Sequence, residues 1–262
     1  MRVLLVNDDG VHATGIQVLK DVLGEIADVF VVAPLEERSA SGHTITLHDP
    51  LRLVQISENV YGCNGFPADC VILGLNHVLK GKEVDFVISG INRGANLAQD
   101  IYYSGTVAGA REGAICGIPS IAVSLAMNYS DFFSNDPNYK PHFETAARFV
   151  AKLMEKKINH LIEPHHICNI NVPNLPSSEI SGIKTTFPGI IDYPKDVERR
   201  LDVRNRDYFW VGGTKGIYRE IPGSDCQSII DKCVSVSNLK LSMHAPDTDS
   251  KWACFFKEDF DY

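Results

Sequence analysis

The feature that most constrains this chain is an alternation of short apolar runs with segments of helical period between Val3 and Val172. Val3–Val6, Val29–Ala33, Phe86–Ser89, Ile121–Leu125 and Ile167–Val172 are nearly unbroken apolar stretches. They lack the in-and-out alternation of a strand with one wet face, so they read as strands buried on both sides. Between them, Gly15–Ile26, Pro67–Leu79, Thr106–Cys116 and Phe143–Met154 have helical spacing, with Pro67 at a first helical position. Buried strands separated by helices imply a parallel sheet covered on both faces. The fold class expected is therefore α/β, a three-layer α/β/α sandwich around a mostly parallel sheet.

Two stretches break this rhythm. Leu47 to Cys63 reads as a β-hairpin insertion, and the chain after Pro176 is rich in Gly, Pro and charge with a late alternating run at Cys233–Leu241. The domain reading is a catalytic core over 1–176, a C-terminal extension of β-ribbon and loop over 177–246, and an acidic, aromatic tail over 247–262.

At 262 residues the chain can bury a large core without disulfides. Its seven cysteines are odd in number, with none at C-x-x-C spacing, and read as reduced thiols. The polar run Asn7-Asp8-Asp9 follows the first apolar residues too soon for a signal peptide, and no apolar stretch reaches the ~20 residues of a membrane helix. A cytoplasmic protein with no membrane partner is expected. The formal net charge of −8 disfavours nucleic acid as a partner. A small anion needs a local positive feature, such as a cation or a helix N-terminus.

In an open α/β sheet ligands bind beyond the carboxyl ends of the strands, so residues just after each strand are the first candidates. After the first strand come Asp8 and Asp9. Adjacent carboxylates at a buried strand end repel, and both stay ionised if a hard cation lies between them. The competing reading is a plain Asp-Gly turn with Gly10. After the second strand, Ser39 offers a neutral oxygen and Arg38 a compensating charge, in what could equally be a solvated loop. After the third, Asn92 offers an amide oxygen, and Arg93 and Asn96 are candidates to hold phosphate oxygens, although such asparagines also form turns. Ser104-Gly105-Thr106 opens a small-residue helix whose free N–H groups suit an anion, or simply a capped helix end. His12 and His43 lie in sheet-edge loops that could face the same place. Gly10 and Gly15 have P-loop spacing, but Ile16-Gln17 follow in place of Lys and Ser/Thr. No G-x-G-x-x-G follows the first strand, and no G-x-S-x-G occurs.

Taken together, Asn7-Asp8-Asp9-Gly10-Val11-His12, Val31-Val32-Ala33-Pro34, Arg38-Ser39, Ser89-Gly90-Ile91-Asn92-Arg93-Gly94-Ala95-Asn96-Leu97, Tyr103-Ser104-Gly105-Thr106-Val107-Ala108, Gly117-Ile118-Pro119 and Asn169-Ile170-Asn171-Val172-Pro173 resemble, in order and spacing, the SurE family of survival-protein nucleotidases. The resemblance runs to about residue 245. It implies a Rossmann-like core and one divalent metal ion per subunit, magnesium or manganese, on Asp8, Asp9, Ser39 and Asn92. It implies phosphate contacts from Asn96, Ser104, Gly105 and Thr106. The activity implied is hydrolysis of nucleoside 5′-monophosphates, with 3′-monophosphates and short polyphosphate as further substrates. A metal-activated water would attack, and Asp8 or Asp9 would take the proton. A homodimer or homotetramer with exchanged C-terminal segments is also implied. Ala40 and His43 depart from the family pattern, as do Gly65-Phe66-Pro67 and Gly223-Ser224-Asp225, and none of these is an implied metal ligand. The rival readings are a non-catalytic nucleotide-binding regulator and a zinc deacetylase. The latter would want His ligands and a His where Asn7 stands.

Overall fold

A computed structural model describes residues 1–132, 139–193, 197–211 and 216–242. The first strand, β1 (Arg2–Val6), is followed by α1 (Thr14–Leu23), β2 (Asp28–Pro34), the hairpin β3 (Leu53–Ser57) and β4 (Val60–Cys63), α2 (Pro67–Leu73), β5 (Phe86–Arg93), α3 (Gly105–Ile115), β6 (Ser120–Ala126), the single turn α4 (Tyr129–Phe132), α5 (Phe143–Glu155) and β7 (His166–Pro173). Beyond these lie β8 (Gly182–Thr186), β9 (Ile191–Asp192), β10 (Val197–Leu201), β11 (Asp207–Val211), β12 (Ile217–Tyr218), α6 (Asp225–Ile230) and β13 (Cys233–Lys240).

Nine strands form one sheet in the order β3-β4-β2-β1-β5-β6-β7-β13-β8. From β4 to β7 every pairing is parallel, while β3 against β4 and β13 against β7 are antiparallel. The expected α/β sandwich is present, and the composition of β1 shows why it needs two helical layers. Val3 and Leu5 pack with Ile16 and Leu19 of α1 and Phe143 and Val150 of α5. Leu4 and Val6 point the other way, into a cluster with Cys70 and Val71 of α2. Alternate residues of one strand thus enter different cores, so an uninterrupted apolar run is required.

The expected hairpin forms and continues the sheet, because β4 pairs in parallel with β2. After Pro176 the chain divides. β8 and β13 complete the far edge of the sheet, whereas β10 and β11 make a separate two-stranded ribbon and β9 pairs with β12. The expected tail over 247–262 lies outside the described residues. α1 stops at Leu23 instead of Ile26, with Gly24, a poor helix former, at its end. β5 does not stop at Ser89 but runs on to Arg93, with a shift in its register against β6 between Ser89 and Asn92.

Candidate active site

The chain passes from β1 to one side of the sheet, builds β2 and β4, then returns to place β5 on the other side of β1. The carboxyl ends of β1 and β5 therefore flank a topological switch point, where open α/β sheets bind ligands. A cleft of about 760 Å³ opens there, lined by Asp8, Asp9, Ser39, Asn92, Asn96 and Ser104 among others. Six of the eight metal and phosphate residues that the family resemblance implies thus share one wall system. The other two, Gly105 and Thr106, stand directly behind Asp8.

Backbone ties hold these loops together. Arg38 N–H donates to the Asp8 carbonyl at 2.7 Å, joining the loop after β2 to the end of β1. Arg93 N–H donates to Asp9 Oδ2 at 3.0 Å, joining the end of β5 to the same turn. Asn7 is fully buried, and its Nδ2 closes the turn by donating to the Gly10 carbonyl at 2.8 Å. Gly90, at φ +136°, lies so close to β6 that a Cβ would sit 2.2 Å from the Val123 carbonyl oxygen. Only glycine fits that position, and the register shift beside it brings Asn92 to the cleft.

Asp8 is 3% exposed. Burial pushes its carboxyl above the ordinary carboxylate range, against the opposing pull of the Thr106 hydroxyl and of the Gly105 and Thr106 N–H groups. The Thr106 hydroxyl donates to Asp8 Oδ1 at 2.5 Å. The N-terminus of α3 thus faces a carboxylate of the protein itself, and a Cβ on Gly105 would come within 2.7 Å of Asp8 Cβ. The phosphate contact expected of Thr106 meets a second demand on the same side chain. That residue is fully buried, and its hydroxyl proton is directed at Asp8. Ser104 caps α3 by accepting from Val107 N–H at 3.0 Å and still lines the cleft. Burial, and then repulsion from Asp8, push Asp9 up to about 6.

Two adjacent carboxylates that are both reluctant to ionise are what a divalent cation relieves. The donor chemistry fits such an ion: two carboxylates, the Ser39 hydroxyl and the Asn92 amide. Asn92 Nδ2 donates to the Gly94 carbonyl at 3.0 Å, which turns Oδ1 into the atom left for a ligand. Ser39 Oγ donates to Glu37 Oε1 at 2.7 Å, so its lone pairs stay available. Oxygen donors of this kind suit magnesium or manganese better than zinc. Among the described residues no three His, Cys, Asp or Glu side chains converge on a common point. His12 is exposed, and His43 Nε2 lies 2.9 Å from Glu112 Oε2, tying the loop after β2 to α3 rather than facing the cleft.

Asn96 is held by a buried amide cluster that sequence reading missed. Its N–H donates to Asn171 Oδ1 at 2.8 Å, and its carbonyl accepts from Asn169 Nδ2 at 3.1 Å and Asn171 Nδ2 at 3.0 Å. Its own Nδ2 donates to Ser124 Oγ at 2.8 Å. A signal was present: two asparagines at strand period inside the otherwise apolar β7 point to one face, where buried amides need partners. Asp100, Asp131 and Tyr139 also line the cleft and were not singled out.

Fold and site together define a class: a Rossmann-like α/β protein with an acidic, oxygen-donor cleft at the switch point of its sheet, backed by a helix N-terminus. A family profile described as Survival protein SurE matches residues 3–194. The "5′-nucleotidase SurE" of Geobacter sulfurreducens is 42% identical over 243 residues, covering 93% of this chain and 89% of that protein. The one from Anaeromyxobacter sp. is 44% identical over 244 residues, covering 92% and 90%. The crystal structure of the Sure protein from Aquifex aeolicus superposes with a TM-score of 0.83 at 35% identity, covering 97% of this chain and 99% of that one. The chain belongs to the SurE family, whose members at this identity carry the name 5′-nucleotidase.

Proposed function

We propose that the chain is a metal-dependent phosphomonoesterase that hydrolyses nucleoside 5′-monophosphates to nucleoside and phosphate. The observation that carries this reading is the adjacent Asp8 and Asp9 carboxyls, the first buried and the second half-buried and raised by its neighbour, in one cleft with Ser39, Asn92, Asn96 and Ser104. Asp8, Asp9, Ser39 and Asn92 would hold one divalent ion, magnesium or manganese. When bound, such an ion polarises a phosphate oxygen and lowers the pKa of water. Ser104 and Asn96 are assigned to the phosphate oxygens, on the positive side of α3. Gly105 and Thr106 are assigned to holding Asp8 through the hydroxyl and N–H groups that meet it. Asp8 or Asp9, the carboxylates at the mouth of the cleft, is assigned to accept the proton of the attacking water. The water oxygen bonds to phosphorus, the bond from phosphorus to the ester oxygen breaks, and the nucleoside oxygen leaves with the proton that the carboxylate took from water.

Nucleoside 3′-monophosphates, which are phosphomonoesters too, and short polyphosphate, whose terminal phosphate is anhydride-linked, belong in the substrate panel. The assay is phosphate release from AMP and GMP with magnesium or manganese, repeated in excess EDTA. Release that stops with EDTA and returns with the ion is expected. A non-catalytic nucleotide-binding regulator would bind AMP and release nothing.

The 177–246 segment is proposed as the oligomerisation element of a homodimer or homotetramer. Its β10–β11 ribbon presents Phe209 at 56% and Trp210 at 58% exposure, more apolar surface than a lone ribbon keeps in water. Light scattering of the protein with and without residues 197–211 tests this. Among the described residues no helix is long and apolar enough to cross a membrane.

A further inference from the structure

A second cavity, of about 910 Å³, adjoins the cleft. The two share a wall made of Asn92, Arg93, Ala95, Asp100 and Phe132. The floor of the second cavity is the carboxyl ends of β6 and β7, with Ala126, Met127 and Pro173. Its far side comes from later in the chain: Tyr193 after β9, Ile217 and Tyr218 of β12, and Ile230 at the end of α6. The folding of the C-terminal segment over the sheet thus creates a concave surface continuous with the acidic site.

This surface is chemically unlike the cleft. Phe132 is 37% exposed, Tyr193 47%, Ile230 46% and Ile217 66%, so large apolar side chains face solvent together in a hollow. Tyr193 is fixed in place, because its hydroxyl donates to Asp100 Oδ2 at 2.6 Å on the shared wall. Tyr218 packs against Leu97, Ala98, Ile191 and Cys226. The Arg93 guanidinium lies 5.3 Å from the centre of the Phe132 ring, and its Nη2 donates to the Phe132 carbonyl at 3.3 Å. An aromatic and aliphatic hollow with a guanidinium at its mouth, next to an anion-handling site, suits a flat heteroaromatic ring.

We propose that this cavity holds the nucleoside part of the substrate, with the base against Tyr193, Tyr218 and Ile230 and the phosphate reaching past the Arg93–Phe132 wall to Asp8 and Asp9. This rests on the nucleotidase reading and adds to it the side from which the substrate enters. It also assigns the C-terminal segment a part in choosing substrates. Residues Tyr193, Tyr218 and Ile230 then decide between phosphomonoesters that carry a base and those that do not.

The test compares AMP with ribose 5-phosphate, which carries the same phosphate and sugar without the base. Two variants are used. Tyr218→Ala removes an aromatic wall, and Ile230→Trp pushes a bulkier side chain from a half-exposed position into the space proposed for the base. Each should raise KM for AMP on the order of tenfold, the loss expected of one base–aromatic contact. Each should leave kcat/KM for ribose 5-phosphate within about twofold, a margin below one such contact. If Tyr218→Ala fails to fold, Ile230→Trp alone decides. An equal loss on both substrates, or no loss on either, overturns the proposal. So does a change of oligomeric state in Ile230→Trp with an unchanged preference for AMP over ribose 5-phosphate, which would make this hollow a contact between copies. Equilibrium dialysis of free adenosine separates this proposal from the chemistry. Adenosine bound by the wild type and not by Ile230→Trp supports the cavity even if AMP is never cleaved. AMP cleavage without adenosine binding removes the cavity and leaves the nucleotidase reading standing.

Discussion

Replacing Asp9 by asparagine should stabilise the metal-free protein while ending its chemistry. The Asp9 carboxyl ordinarily titrates at 3.8 and is pushed up to about 6 in the fold by burial and by Asp8. At about 1.36 kcal/mol per tenfold change, the difference corresponds to about 3 kcal/mol of folding stability. Asp9 is not fully buried, and solvent screening brings the expected effect to about 1–3 kcal/mol. The sign follows from which form the fold prefers. A raised carboxyl favours the protonated state, so stability is highest below 3.8, falls as pH climbs, and the loss is complete above about 6. Asp9→Asn cannot ionise, and its side-chain oxygen can still accept the Arg93 N–H. In EDTA at pH 7.5 the variant should therefore melt above the wild type by roughly 2–12 °C, at about 2–4 °C per kcal/mol for a chain of this size. At pH 4.5 the gap should shrink to about a third. Manganese should raise the melting temperature of the wild type at pH 7.5 and leave the variant nearly unmoved. Thermal unfolding followed by circular dichroism reads all of these. A variant that melts below the wild type at both pH values, or that gains as much from manganese, would refute the idea that two repelling carboxylates are waiting for a cation.

Three further substitutions probe the supports of the site. Thr106→Val deletes the hydroxyl that donates to Asp8 and leaves a buried carboxylate short of a donor. Stability should fall by about 1–3 kcal/mol, and the acid limb of the rate profile should move to higher pH, since the lost bond is one that held the Asp8 carboxyl down. Gly105→Ala puts a carbon 2.7 Å from Asp8 Cβ, so turnover of AMP should drop at least tenfold, a displacement effect on the reacting groups. Far-ultraviolet circular dichroism should show the helix content retained. Asn171→Leu removes both the acceptor for Asn96 N–H and a donor to its carbonyl. A stability loss of about 2–4 kcal/mol in urea unfolding is expected, with KM raised more than kcat is lowered if Asn96 holds substrate.

How much of this could be read from the residues alone depends on whether the cause is local. The strands of the central sheet were legible because a strand buried on both faces must be apolar throughout, as Val3–Val6 is, and that is a property of the segment itself. Asp8 and Asp9 stood out as a pair because adjacent carboxylates at the end of a buried strand repel, although the Asp-Gly turn with Gly10 accounts for the same residues locally. Thr106 was not, since its position in the first turn of α3 fits a cap, a phosphate contact or a bond to Asp8 equally well. The bond to Asp8 depends on the approach of α3 to β1, allowed by the missing side chain of Gly105, which no local pattern records. The end of β5 was misjudged for the same kind of reason. Glycine at 90 and polar residues at 92 and 93 look like the end of a strand, yet pairing with β6 resumes at Asn92 after the register shift. Local propensity favours a turn there, and hydrogen bonds to the neighbouring strand override it. The C-terminal segment carries this furthest. Cys233–Lys240 alternates like a strand with one wet face, and nothing within it says that β7 is its partner on one side and β8 on the other. Because that pairing draws α6 and β12 back over the carboxyl ends of β6 and β7, the hollow beside the acidic cleft is a product of long-range topology, and no window of sequence contains it.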